Sequence, residues 1–271
     1  MAVVSIRGPK GSGKSSFCAT WRPGEARNWF DIEAGAIRIH QPPENLVLWK
    51  PSDEEGGGQA LLDTLSNVRL GRVFGYDVLW NLVHRQYLKV IQEPAPIIVF
   101  DTWKMVWTYN TMAHLSSLQI GKSDKDMRKS LMPRDYGSPN SRMDGIIMAA
   151  HAFSKDLILI SHERPVYITG LDENGNVKEM PHPTLTEPDS YKHTPGFADW
   201  EFRSLYHKIK PEEKCPVCSE DKQKECPRYH FSIEIEKSPV GAHLVGTIFY
   251  DVDYEQLMTA IKLMNGGSTH G

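Results

Sequence analysis

Residues 3–16 read VVSIRGPKGSGKSS, and the reading of this stretch decides the fold. A short apolar run, Ala2 to Arg7, ends at Gly8, and helix-compatible residues begin at Lys14 and continue to Trp21, where Arg22-Pro23-Gly24 stops them. Between them Gly8, Pro9, Lys10, Gly11, Ser12, Gly13, Lys14 and Ser15 fill the pattern G-x-x-x-x-G-K-[ST] at every position. The glycines let the backbone wrap so that successive N–H groups face phosphate oxygens, and the helix start adds partial positive charge. In such a loop, running on through Ser16, Lys14 reaches the β- and γ-phosphates and the Ser15 hydroxyl sits on Mg²⁺.

Outward from the loop, short apolar runs alternate with helical periodicity. Asn28 to Ile32, Asn45 to Trp49, Ile97 to Phe100 and Leu157 to Ile160 read as strands. Helices are expected over Tyr76 to Gln92, about Lys104 to Leu118, about Ser141 to Phe153 and Tyr254 to Met264, with a loop at Asp53 to Gly58. Val166 to Thr169 and Val177 to Met180 flank Asp172 to Asn176 as a hairpin. Glu201 to Lys208, Tyr229 to Glu236 and Ala242 to Tyr250 are late strands without helices between them. The pattern implies an α/β fold with a mainly parallel central sheet and an antiparallel extension. No linker divides the 271 residues, so one domain is expected over 1–271, with residues 210–230 as an insertion.

The balance of 31 basic against 34 acidic side chains argues against coating of duplex DNA by bulk charge, and leaves open a local basic loop or a groove shared in an oligomer. No run of 18 apolar residues argues for a membrane span, and no basic-then-apolar leader precedes the first strand, so a cytoplasmic location is expected.

Carboxylates stand where strands end. Asp101 closes the run Ile97 to Phe100, the place for a second Mg²⁺ contact. Phe30-Asp31-Ile32-Glu33-Ala34 ends the second strand, and a carboxylate there can orient an attacking water; Glu33 is the first choice and Asp31 the competitor. Ser161-His162-Glu163 caps another core strand, which lets His162 report on a γ-phosphate.

Three of the four cysteines fall between 215 and 226. Cys215-Pro-Val-Cys218 and Cys226-Pro-Arg-Tyr-His230 give C-x₂-C and C-x₃-H spacing, the look of a Zn²⁺ knuckle at the tip of the late hairpin, with His207 as an alternative fourth ligand. The polar stretch 210–224 cannot pack a core, so a metal would explain how it holds a shape. Cys18, in the first helix, reads as a small buried residue. Most of the seven tryptophans are expected in the core, with Trp103 or Trp107, near Asp101, as the alternative that would border a nucleotide.

The order P-loop, Asp-x-Glu, Asp-Thr, Ser-His-Glu resembles the RecA-like recombination ATPases, nearest to the compact phage members that act with single-strand annealing. The resemblance covers roughly residues 1–250. It implies ATP and Mg²⁺ as ligands, Glu33 as the activator of water, Asp101 and Thr102 as the strand-end pair, and His162 as the γ-phosphate sensor. It also implies a late hairpin, Ile233 to Gly241, delivering Lys237 to a neighbouring subunit; Pro239 stands where relatives carry a second base. A lysine supplied in this way would stabilise phosphoryl charge only on assembly. The implied partners are single-stranded DNA, further copies of the chain in a ring or filament, and a single-strand-binding protein. DNA-binding loops are expected over Arg164 to Gly196, with Tyr167, His182, Tyr191, Lys192 and His193 as candidate contacts. A P-loop kinase, and a helicase or packaging motor on the same scaffold, are the rival readings.

Overall fold

The computed structural model describes residues 1–33, 39, 42–70, 75–123, 126–171, 177–210, 213–215, 217–218, 223, 226–227 and 229–265. In chain order the first half contains β1 (Val3–Arg7), α1 (Lys14–Ala19), β2 (Arg27–Asp31), β3 (Leu46–Trp49), α2 (Gly57–Leu70), α3 (Tyr76–Val90), β4 (Ile97–Asp101), α4 (Trp103–Ser117) and α5 (Gly137–Ala152). The second half contains β5 (Asp156–Leu171), β6 (Val177–Asp189), α6 (Thr194–Phe197), β7 (Trp200–Lys208), β8 (Tyr229–Lys237), β9 (Ile248–Tyr250) and α7 (Tyr254–Met264).

The central sheet has the order β3-β2-β4-β5-β1-β7-β8-β9. Every neighbouring pair from β3 to β7 is parallel, and β8 and β9 extend the sheet antiparallel. This is a mixed α/β fold with a mostly parallel sheet. Parallel strands are covered on both faces and therefore read as unbroken apolar runs. β4 illustrates this: Ile98 and Phe100 join the core under α3, α4 and α5, whereas Ile97 and Val99 join the core under α1 and α7. All four are fully buried, each contributing about 1.5–3 kcal/mol by leaving water. Six of the seven tryptophans are buried, and Trp107 packs partly against the core.

Several boundaries differ from the sequence expectation. The first helix ends at Ala19, short of Trp21. The glycine run at 56–58 is not only a loop: α2 begins at Gly57, where the backbone runs so close to the Pro51 carbonyl that a Cβ would collide with it. Ala242 to Tyr250 is a 3₁₀ turn at Ala242–Leu244 followed by the short β9. The largest difference lies beyond His162. The hairpin expected at Val166 to Thr169 and Val177 to Met180 is present but is the outer part of a longer antiparallel ladder, in which Glu163 to Pro165 and Thr186 to Asp189, expected as loops, also pair; the ladder of β5 with β6 is irregular between Pro165 and Tyr167. Its prolines are tolerated because each strand has a free edge there. The turn expected at Asp172 to Asn176 lies outside the described residues. Among the described residues no helix is long and apolar enough to cross a membrane.

Candidate functional site

The C-terminal ends of the parallel strands meet in a cleft of about 270 Å³ lined by residues 10–16 of the loop together with Glu33, Asp101, Thr102, His162 and Phe231. The strand order explains the meeting. β5 lies between β1, which feeds the loop, and β4, which carries Asp101, so His162 emerges between them. Gly8 and Pro9 form the base of the loop, where their carbonyls accept hydrogen bonds from Lys14 Nζ at 2.8 and 2.7 Å.

Two glycines are dictated by their neighbours. A Cβ on Gly8 would lie 2.1 Å from the Ser204 carbonyl oxygen. Gly13 has φ +84°, and a Cβ there would meet the Phe231 ring at 2.9 Å. α1 follows with only six residues, so its macrodipole is small and the N–H groups of the loop carry its attraction for anions.

The polar groups are paired across elements. Ser15 Oγ donates to Asp101 Oδ2 at 2.7 Å. Glu33 accepts from Thr102 Oγ1 on one oxygen at 3.0 Å and faces His162 Nε2 with the other at 3.1 Å. The His162 contact, with help from Thr102, holds the Glu33 carboxyl below its ordinary range. Burial pushes Asp101 the other way, up to about 6, with Asp31 and Glu33 adding to the rise. Burial also lowers the Lys14 ammonium. Asp31 is buried beside Asp101 in the β2–β4 ladder and does not line the cleft, so Glu33 is the acid that faces it.

Glu163, next to His162, is held by Arg7 at 3.2 Å and Arg203 at 2.7 Å, and Arg7 also donates to Glu236 at 2.6 Å and to Thr186 of β6 at 2.7 Å. These pairs are largely sheltered from solvent and lock the base of the β5–β6 ladder to β1, β7 and β8.

Other expected residues lie elsewhere. Lys237 donates to the Pro195 carbonyl at 2.8 Å and does not line the cleft of its own chain. Neither Trp103 nor Trp107 lines it: Trp103 is buried and donates to Thr194, and Trp107 packs on Tyr191. Tyr191 is fully buried and bonded to Asp144 at 2.7 Å, so its ring offers no surface to a nucleobase, whereas Tyr167 is 59% exposed. Cys18 is buried, as expected of a small core residue.

No known family model matches the chain, and none of the curated proteins compared with it is similar in sequence.

At the far end of β7 and β8, Cys215, Cys218, Cys226 and His230 bring their ligand atoms within 4.8 Å of one another. His230 Nε2 lies 3.2, 3.7 and 3.5 Å from the three sulfurs. A tetrahedron with Zn–S of about 2.3 Å and Zn–N of about 2.1 Å has N···S edges of about 3.6 Å, so the donor set fits zinc in both chemistry and size. Gln223 braces the turn, accepting from Cys215 N and donating to the Cys215 and Cys218 carbonyls. Asp251 bonds His230 Nδ1 and pushes the ring up to about 9, so a metal taking Nε2 displaces a proton. His207 faces Ser232 at 2.8 Å and lies outside the cluster, which leaves His230 as the fourth ligand.

Sequence reasoning missed Phe231 and Asp251. Both border a second cavity of about 440 Å³, beside the loop at Ser12, Gly13 and Ser16 and walled by Phe17, Ile233 and Val252.

Proposed function

We propose that this chain is a RecA-like P-loop ATPase that binds ATP with Mg²⁺, assembles on single-stranded DNA and assists homologous pairing or annealing. The observation that carries the reading is the convergence of Ser15 with Asp101, and of Glu33 with His162, in one cleft under a complete phosphate-binding loop. The fit to a phosphate has a second support: Ser12 Oγ is buried in the loop without a hydrogen-bond partner among the described residues and has a proton to give to an anion.

Lys14 supplies positive charge to the β- and γ-phosphates. Ser15 and Asp101 would hold Mg²⁺, which neutralises phosphate charge as it develops. The second cavity has the room and apolar walls for a base and ribose, with Phe231 available for stacking. Glu33 has a lowered pKa and is therefore a weak base, so its contribution is to orient the water rather than to strip it of its proton. Both its oxygens are engaged. By turning Nε2 toward a phosphate oxygen, His162 would release one of them to accept from water.

The β5–β6 ladder, with Tyr167, Ile168 and Leu185 exposed, offers a surface for stacking on single strands. Lys237 is engaged within its own chain away from the cleft, so any action on phosphate belongs to a neighbouring subunit.

Phosphate release measured with and without single-stranded DNA tests the proposal, with stimulation by DNA expected. Phosphoryl transfer to an added nucleoside phosphate, without DNA stimulation, would replace it with the kinase reading. Directional unwinding would replace it with a motor.

A further inference from the structure

The metal cluster and the nucleotide cleft are separate in sequence but joined by a short run of contacts. His230, the fourth ligand of the cluster, bonds Asp251 through Nδ1. The same carboxylate accepts the Phe231 N–H at 2.9 Å through its other oxygen. Strand alternation turns Phe231 to the opposite side from His230, where its ring lies on Gly13 and borders both cavities of the proposed nucleotide site. Asp251 itself walls the second cavity.

From these contacts we infer that the metal held by Cys215, Cys218, Cys226 and His230 sets the affinity of the neighbouring cleft for nucleotide, by fixing Phe231 over the loop. The inference rests on the nucleotide-binding reading of the cleft.

The physical basis is the unequal support of the two ends of this contact run. Gly13 is anchored by the sheet through β1 and by the backbone bond from Phe17 N to its carbonyl. His230 and Phe231 lie near the start of β8, paired with His207 and Tyr206 of β7; beyond that pairing the His230 ring is held through Asp251 and the cluster, and the sequence of the cysteine turn is too polar to pack a core in place of a metal. A metal fixes the imidazole and leaves Nδ1–H as the donor to Asp251. Removing it frees the ring, loosens the Asp251 carboxylate and with it the Phe231 end of the β7–β8 ladder, while the parallel strands stay in place. Phe231 is a positioning residue for the bound nucleotide, and coupling of this kind is reciprocal.

Full-length protein is loaded with Zn²⁺, or stripped by chelator under reducing conditions and dialysed, and titrated with a fluorescent ATP analogue in Mg²⁺. Stripping is expected to weaken binding about tenfold, and re-addition of Zn²⁺ to restore it, with ATP tightening Zn²⁺ by the same factor. Phe231→Ala should bind Zn²⁺ normally and bind nucleotide weakly whether or not Zn²⁺ is present. Asp251→Asn at saturating Zn²⁺ should keep the metal but bind nucleotide like the stripped protein; this variant decides the matter if stripped protein precipitates. Equal affinity in loaded and stripped protein overturns the inference, as does a Phe231→Ala protein that retains the zinc dependence. Absence of binding by the Zn²⁺-loaded protein, unaffected by Lys14→Ala, instead removes the nucleotide reading, and the coupling with it.

Discussion

The cleft and the cysteine cluster gather their polar side chains by opposite means. The cleft draws on residues from 10 to 231, and Glu33, Asp101, Thr102 and His162 stand at or just past the ends of strands whose apolar residues are buried on both faces of the sheet. Its geometry is set before any ligand arrives. The cluster draws on one short polar stretch, ordered by Gln223, Asp251 and the ligand atoms themselves. The comparison teaches that a site can be preorganised by a core or organised by its ion, and that the two kinds fail differently.

The largest effects should come from the cleft without loss of fold. Lys14→Ala and Glu33→Gln are each expected to lower ATP turnover by about 10²–10³-fold, with melting temperature little changed. The two should divide in binding: Lys14→Ala loses nucleotide, and Glu33→Gln retains it uncleaved. Normal hydrolysis by Glu33→Gln protein would remove that residue from the mechanism.

Chelation probes the other side of the comparison. Hydrogen exchange is expected to rise at residues 213–218 and 226–230 and stay unchanged in β1, β4 and β5. Collapse of protection in those three strands would mean that the ion organises the whole sheet, and the contrast would fail.

Gly13→Ala sharpens the contrast at the point where the regions touch. Positive φ and the Phe231 ring together should cost about 1–3 kcal/mol in urea unfolding. Combining it with Phe231→Ala should recover the steric part only.

The smallest effect is electrostatic. Asp101 takes up its proton more readily folded than unfolded, so its penalty on stability grows as pH rises from about 4 to about 6 and is complete above that. Asp101→Asn should therefore raise stability above pH 6 and have no effect near pH 3. Affinity for Mg²⁺-nucleotide should fall as the pH of the wild-type protein drops below 6. A flat profile would show that the carboxylate is better solvated than its burial implies.

Much of the parallel sheet was legible because buried strands announce themselves as apolar runs, and the loop because its residues are contiguous. Asp101 and His162 could be placed because each follows such a run directly. Asp31 and Glu33 could not be separated, since residues two apart in a strand share a face; the end of β2 at Asp31 separates them. Phe231 was invisible because nothing local tells that the far end of an antiparallel strand overlies the loop. Its adjacency to a metal ligand was the available signal. The outer β5–β6 pairing was legible as a hairpin, but its inner extension was missed because Glu163-Arg164-Pro165 has loop chemistry, yet the backbone there pairs with 186–188 of β6.

The grip of Arg7 and Arg203 on Glu163 places the fulcrum of that ladder beside the histidine rather than at its outer end. The irregularity between Pro165 and Tyr167 lies between that fulcrum and the exposed outer half, so bending of the outer ladder would be taken up there before it strained the guanidinium pair or moved His162.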